Sequence, residues 1–223
     1  MEKRVMYPKM ELESRFDEEA RNRLVPDRFE DFPFHGYNRV LDRIVEVSGA
    51  RPDETVLELG IGTGTLARRF LESACRVIGL DFSEARLAEA KRKHPGLTLH
   101  RVDMRRAWPT IERPIHHVVG AYFLHELTLG GKLLVVRRAL DLLPDNGRVL
   151  IGDVAFATRS VRAAASLRYR DRWDPKQHYW AADEMAQHFA GIGIRTTFEA
   201  LTPCAALLTF ERAGQSDRLR RAN

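Results

Sequence analysis

The chain is poor in cysteine: Cys75 and Cys204 stand alone among 223 residues, which excludes a disulfide framework as the basis of the fold. Both lie beside apolar runs and read as inert core thiols. No apolar run approaches the roughly 18 residues that a membrane span needs. Behind Met1-Glu2-Lys3-Arg4 there is no apolar stretch of the kind a secretory leader carries, so the expectation is a cytoplasmic protein without membrane contact. Zinc-finger spacing is missing, and so is a basic stripe interleaved with aromatics. His125-Glu126 is no zinc helix, because the position four residues on is Leu129 rather than histidine, and no metal is expected. Acidic excess is absent as well: 36 Lys and Arg outweigh 31 Asp and Glu, giving a net charge of +5. Arg212, Arg218, Arg220 and Arg221 carry much of that surplus, which reads as a basic flexible tail over 214–223 more than as a nucleic-acid face.

What is present is ordinary globular composition, 44% hydrophobic and 30% charged, in a length that suits one α/β domain with a short decoration. The informative stretch is Val56-Leu57-Glu58-Leu59-Gly60-Ile61-Gly62-Thr63-Gly64, a buried strand running into a loop with glycine at every second position. Such a loop lets backbone approach a ligand where a Cβ would collide. A helical run from Thr65 follows, then a second strand, Arg76 to Leu80, ending on Asp81. Strand, glycine turn, helix, strand and acid together lay out a nucleotide crevice at the carboxyl ends of a parallel sheet.

Spacing separates two readings of that crevice. A dinucleotide fingerprint would put its third glycine at position 65, which is Thr65; the third glycine comes one residue early, at Gly64. With Glu58 before the loop and Gly79-Leu80-Asp81 after it, the pattern resembles the first two motifs of the class I S-adenosylmethionine-dependent methyltransferases. Three further segments fall in the same order: His100 to Met104 after a third strand, Val118 to His125 as a fourth strand and its exit, and Leu143 to Ile151 as the turn into a fifth. Within that superfamily the layout is similar to small bacterial proteins of the YrrT-like, methyltransferase-domain-25 type, through Arg15-Phe16-Asp17, the stretch from Ala121-Tyr122 to His125-Glu126-Leu127, and the ending from Tyr179 to Phe210.

The resemblance implies a Rossmann-like, seven-stranded, mostly parallel sheet with an antiparallel last strand and helices on both faces. It implies S-adenosylmethionine as cofactor and S-adenosylhomocysteine as product. Gly60 and Gly62 then line the methionine end with Glu58 near its amino group, Ile61, Gly64 and Ala121 also contact the cofactor, Asp81 takes the ribose hydroxyls, and Phe82 packs on the adenine. Asp103 accepts from the adenine amine and the Met104 amide donates to a ring nitrogen. His125 and Tyr122, past the fourth strand, are the catalytic candidates; His125 reads equally as a base or as a residue packing the loop. His116-His117, at the far edge of the sheet, reads as solvated surface.

Acceptor contacts are expected from the segments least like the family: Phe16, His35 and Tyr37 on one side, and Arg168, Trp173, Tyr179 and neighbouring Trp180 on the other. An arginine pointing inward would favour an acidic acceptor. The domain plan is a helical lid over 1–48, a catalytic domain over 49–213 with an acceptor-lining insertion at 158–180, and the tail. The function so read is methyl transfer to a small molecule by a monomer or homodimer. An RNA or tRNA methyltransferase and a non-catalytic cofactor-binding module remain as alternatives.

Overall fold

A computed structural model of the chain describes residues 32–214. Its centre is a sheet of eight strands: β1 (Thr55–Leu59), β2 (Arg76–Asp81), β3 (Thr98–Arg101), β4 (His117–Ala121), β5 (Arg148–Phe156), β6 (Trp180–Ala181), β7 (Ile194–Ala200) and β8 (Ala205–Arg212). The continuous path of seven runs β3-β2-β1-β4-β5-β8-β7, and the two-residue β6 pairs with the end of β5. Among these strands β8 alone runs antiparallel to its neighbours, as expected for the last strand. The strand order reverses between β1 and β4, where Leu59 pairs with Gly120, so a crevice opens beyond those two carboxyl ends.

Helices cover both faces. On one face lie α1 (Tyr37–Ser48), α2 (Thr65–Glu72) and α3 (Glu84–Lys93), packed through Val40, Leu41, Ile44, Leu66, Phe70 and Leu87. On the other, α4 (Leu129–Asp141) and α6 (Ala182–Gly191) bury Val135, Val136 and Phe189 against Ile151, Leu208 and Phe210. The strand pleat divides side chains between the two cores: Val56 joins the α1 side, while Leu57 and Leu59 join the other. Among the described residues no helix is long and apolar enough to cross a membrane.

Local chemistry explains the boundaries. Ser83 caps α3, its hydroxyl accepting from the Arg86 amide at 3.2 Å, with Lys91, Arg92 and Lys93 in the last turn. α4 begins at Leu129, where the Thr128 hydroxyl caps it by accepting from the Gly131 amide at 3.4 Å. Within the segment at 158–180, Thr158 caps a ten-residue helix, α5 (Arg159–Arg168), its hydroxyl accepting from the Val161 amide at 3.2 Å. Both cysteines are buried, as inert core thiols would be.

Close approach of α1 to the sheet depends on Gly152 in β5. A Cβ there would lie 2.3 Å from Val40 Cγ1 and 2.9 Å from Ile44 Cδ1. Gly152→Ala should therefore destabilise the fold by about 1–3 kcal/mol through overpacking, read as a lower urea midpoint at unchanged slope.

Candidate active site

The crevice is built by holding the glycine loop to the end of β2. The amides of Gly60 and Ile61 both donate to the Leu80 carbonyl, at 2.8 and 3.0 Å. Gly60, Gly62 and Gly64 all take left-handed backbone, with φ of 67°, 54° and 84°. At Gly60 the requirement is double, because a Cβ would also fall 2.6 Å from that of Phe123. Gly62 faces open space, its nearest neighbour in the Cβ direction being the Gly60 carbonyl at 4.0 Å. Gly64 caps α2.

Asp81 is the bracket of this loop. One carboxylate oxygen accepts from the Gly62 amide at 2.7 Å and the other from the Ser83 amide at 2.9 Å. Burial raises its pKa, while those amides and the nearby Arg86 act the other way. Glu58, in β1, is 2% exposed, and its Oε2 has no hydrogen-bond partner. Burial first, and the charge of Asp81 second, push its pKa well above the carboxylate range. Above them sits Tyr37 from α1, hydrogen-bonded to Thr65 and, through burial, raised in pKa. Its ring stacks on Tyr122 at 5.1 Å, and Phe34 meets Tyr122 edge-on at 5.3 Å. Tyr122 turns the chain out of β4 at φ 52°, an uncommon backbone for a bulky residue, and its buried hydroxyl makes no hydrogen bond. Burial drives that phenol's pKa upward.

The acid after β3 is engaged in a different way. Asp103 binds the Arg105 guanidinium through both oxygens, at 2.9 Å each, and Arg106 approaches at 3.4 Å. Burial would raise its pKa, but these arginines hold it low. The Met104 carbonyl accepts from the Trp108 indole at 2.8 Å. Phe82 is half-buried beyond Asp81, with its carbonyl accepting from Arg101 at 3.3 Å, and Ala121 ends β4.

A second polar cluster lies behind the exit of β4. His125, in a short 3-10 turn (Leu124–Glu126), joins its Nδ1 to Asp153 of β5. Asp153 is fully buried and also accepts from the His125 amide at 2.8 Å, the Val154 amide at 2.8 Å and the Trp180 indole at 3.1 Å. Those four donors saturate a carboxylate. Burial disfavours both charges, yet the pair outweighs it: the His125 pKa is raised and that of Asp153 lowered. The Tyr179 ring stacks on the imidazole at 5.8 Å. Asp153 is not among the residues expected from the sequence; its signal there is a lone acid inside the apolar strand Val149 to Phe156, in a sheet covered on both faces.

The expected acceptor residues fall in different places. Tyr37 closes the crevice, His35 is exposed, and Arg168 lies exposed over the Tyr169 ring at 5.4 Å. Trp173 and Tyr179 join Phe32 in an aromatic cluster, with Trp173 and Tyr179 centroids 4.5 Å apart. Phe16 lies outside the described residues. Trp180 is core and not a pocket wall, being packed on Phe189 and Phe210. His116 and His117 are more than solvated surface: the Thr55 amide donates to His116 at 3.0 Å, and His117 pairs with Glu54 at 2.8 Å.

A doubly wound sheet with this glycine loop and acid at its switch point is the layout that the resemblance to class I, S-adenosylmethionine-dependent methyltransferases implies. Residues 56–147 match the family model described as a methyltransferase domain. It is 34% identical over 129 residues to a protein of Oceanobacillus iheyensis named as an uncharacterized methyltransferase, covering 58% of each chain. To the Halobacillus halophilus protein named as uncharacterized methyltransferase YrrT it is 25% identical over 182 residues, 78% of this chain and 83% of that one. Among solved structures, the complex of DhpI with SAM and HEP superposes with a TM-score of 0.70 at 18% identity, over 93% of this chain and 99% of that one, a likeness of fold.

Proposed function

We propose that the chain binds S-adenosylmethionine in the crevice and transfers its methyl group to a small-molecule acceptor. The observation that carries this reading is the pairing of a loop braced by Asp81 with the unmade hydrogen bond of buried Glu58. A carboxyl so placed is suited to a cationic ligand such as an amino acid's ammonium, and a dinucleotide's pyrophosphate would meet two acids instead. Gly60 and Gly62 present backbone to the methionine arm, and Gly62 has room in front of it. Asp81 is the acceptor for ribose hydroxyls, and Asp103, beside Arg105, serves the adenine edge.

The cofactor supplies a methyl on a positively charged sulfur. The chain supplies orientation, which in such a displacement accounts for roughly 7–11 kcal/mol of barrier. His125 takes the proton that the acceptor loses: with Nδ1–H held by Asp153, the neutral ring keeps Nε2 as its basic nitrogen. Phe34 and Tyr37, packed on Tyr122 at the exit of β4, shield the crevice from water. The 158–180 segment forms the opposite wall.

Calorimetric titration with S-adenosylmethionine, S-adenosylhomocysteine and NAD tests the reading. Binding of the first two without NAD is expected; NAD binding alone would refute it. Salt-sensitive RNA binding that survives removal of residues 214–223 would instead favour an RNA acceptor.

A further inference from the structure

Lys132, in the first turns of α4, is an unusual cation: it is 2% exposed, yet it lines a cavity. Its ammonium donates to the carbonyls of Leu127 and His178, each at 2.6 Å, and lies 5.0 Å from the Trp180 ring centre. Among the described residues no carboxylate comes within ion-pairing distance of it. Asp153 acts on it only from further away, and its four donors are already committed. Two carbonyls and a ring offset only part of the desolvation cost of a buried ammonium, and a contacting anion would offset more. Burial accordingly lowers the Lys132 pKa to about 8.

The cavity has a volume of about 320 Å³, at the lower end of the range for small-molecule sites. Arg162, Trp173, Gln177, His178 and Tyr179 line it with Lys132. Glu184 is there too, but it is bonded to Arg162 at 3.1 Å. The segment 159–178, which supplies Arg162, Trp173, Gln177 and His178 to the lining, carries Arg159, Arg162, Arg168, Arg170, Arg172 and Lys176 against Asp171 and Asp174, a net positive charge that draws anions. Tyr179 is a shared wall: it lines the cavity on one side and stacks on His125.

We propose that this cavity binds a carboxylate-bearing small molecule through Lys132 and Arg162, and that the methyl acceptor belongs to this class. The second half rests on the methyltransferase reading above; the binding site does not. The carboxylate supplies the anion that Lys132 lacks, and Tyr179 leads the rest of the molecule toward His125.

The test is calorimetry on the full chain, with and without S-adenosylhomocysteine, using glutarate and benzoate against glutaramide and benzamide. At least one acid should bind tenfold or more tightly than its amide. Arg162→Gln and Lys132→Met should each weaken the acid tenfold or more and leave affinity for S-adenosylhomocysteine unchanged. Between roughly pH 8 and 10 the acid should bind with proton uptake, read from titrations in buffers of different ionisation enthalpy, because the anion returns Lys132 toward its ordinary pKa. Should Lys132→Met fail to fold, Arg162→Gln and the proton uptake carry the test. Equal affinity for acids and amides, or no acid binding at millimolar concentration, overturns the site. Acid binding by a chain that ignores S-adenosylmethionine would leave the site standing and sink the methyltransferase reading.

Discussion

Asp81→Ala is expected to lower affinity for S-adenosylmethionine by about 10²–10⁴-fold, the largest effect of any single change in the crevice. Two contributions add. Each ribose hydroxyl loses a charge-assisted bond, worth about 1.5–3 kcal/mol. The Gly62 and Ser83 amides also lose the carboxylate that positions the loop and the start of α3. Asp81→Asn keeps one acceptor oxygen and should fall between the two. The Asp81 pKa is raised, so wild-type affinity should decline as pH falls through that value, when the carboxyl protonates and no longer accepts from both hydroxyls. Calorimetry across pH 4–8 with the three proteins measures all of this. Undiminished affinity in Asp81→Ala would place the nucleoside elsewhere.

Turnover should fall by about 10²–10⁴-fold in His125→Ala, the range of a general base, with cofactor affinity unchanged. The pH profile separates this role from a structural one. In the wild type, Asp153 raises the imidazole pKa, so activity should rise with pH as His125 deprotonates, at a pH above that of an ordinary histidine. In Asp153→Asn the carboxylate charge is gone, while burial continues to disfavour imidazolium. The ascending limb should therefore move to lower pH, and its plateau should drop. Glu126 adds to the raising effect and Lys132 opposes it; Tyr179 and His178 also pack against the ring or its backbone. NMR titration of the His125 ring in both proteins reports the shift without reference to activity. Full turnover in His125→Ala would remove it from the mechanism. Stability has its own sign: the raised His125 pKa and lowered Asp153 pKa favour the ion pair. Its contribution is lost as pH rises through the former or falls through the latter.

The crevice was legible from residues 56–81 because its determinants are local. Left-handed backbone at Gly60, Gly62 and Gly64 is a property of each residue, and an acid ending β2 is carried to the loop by strand pairing of Leu59 with Leu80. The Ser83 cap and the reversal at β8 are likewise written in short segments. What was not legible depends on pairs far apart in the chain. Asp153 stands 28 residues from His125, and nothing near either position announces the other. Lys132 reads as one more helix cation until Leu127, His178 and Trp180 close around it.

By itself, then, the amino-acid order determined the strand-and-helix alternation, the parallel sheet and the nucleotide crevice at its switch point, since periodicity and glycine placement act over a few residues. Only the tertiary structure decided which carboxylate braces which loop, which histidine acquires a buried partner, and which cation faces a cavity. Burial sets the strength of those charges, and burial is a property of packing between distant elements.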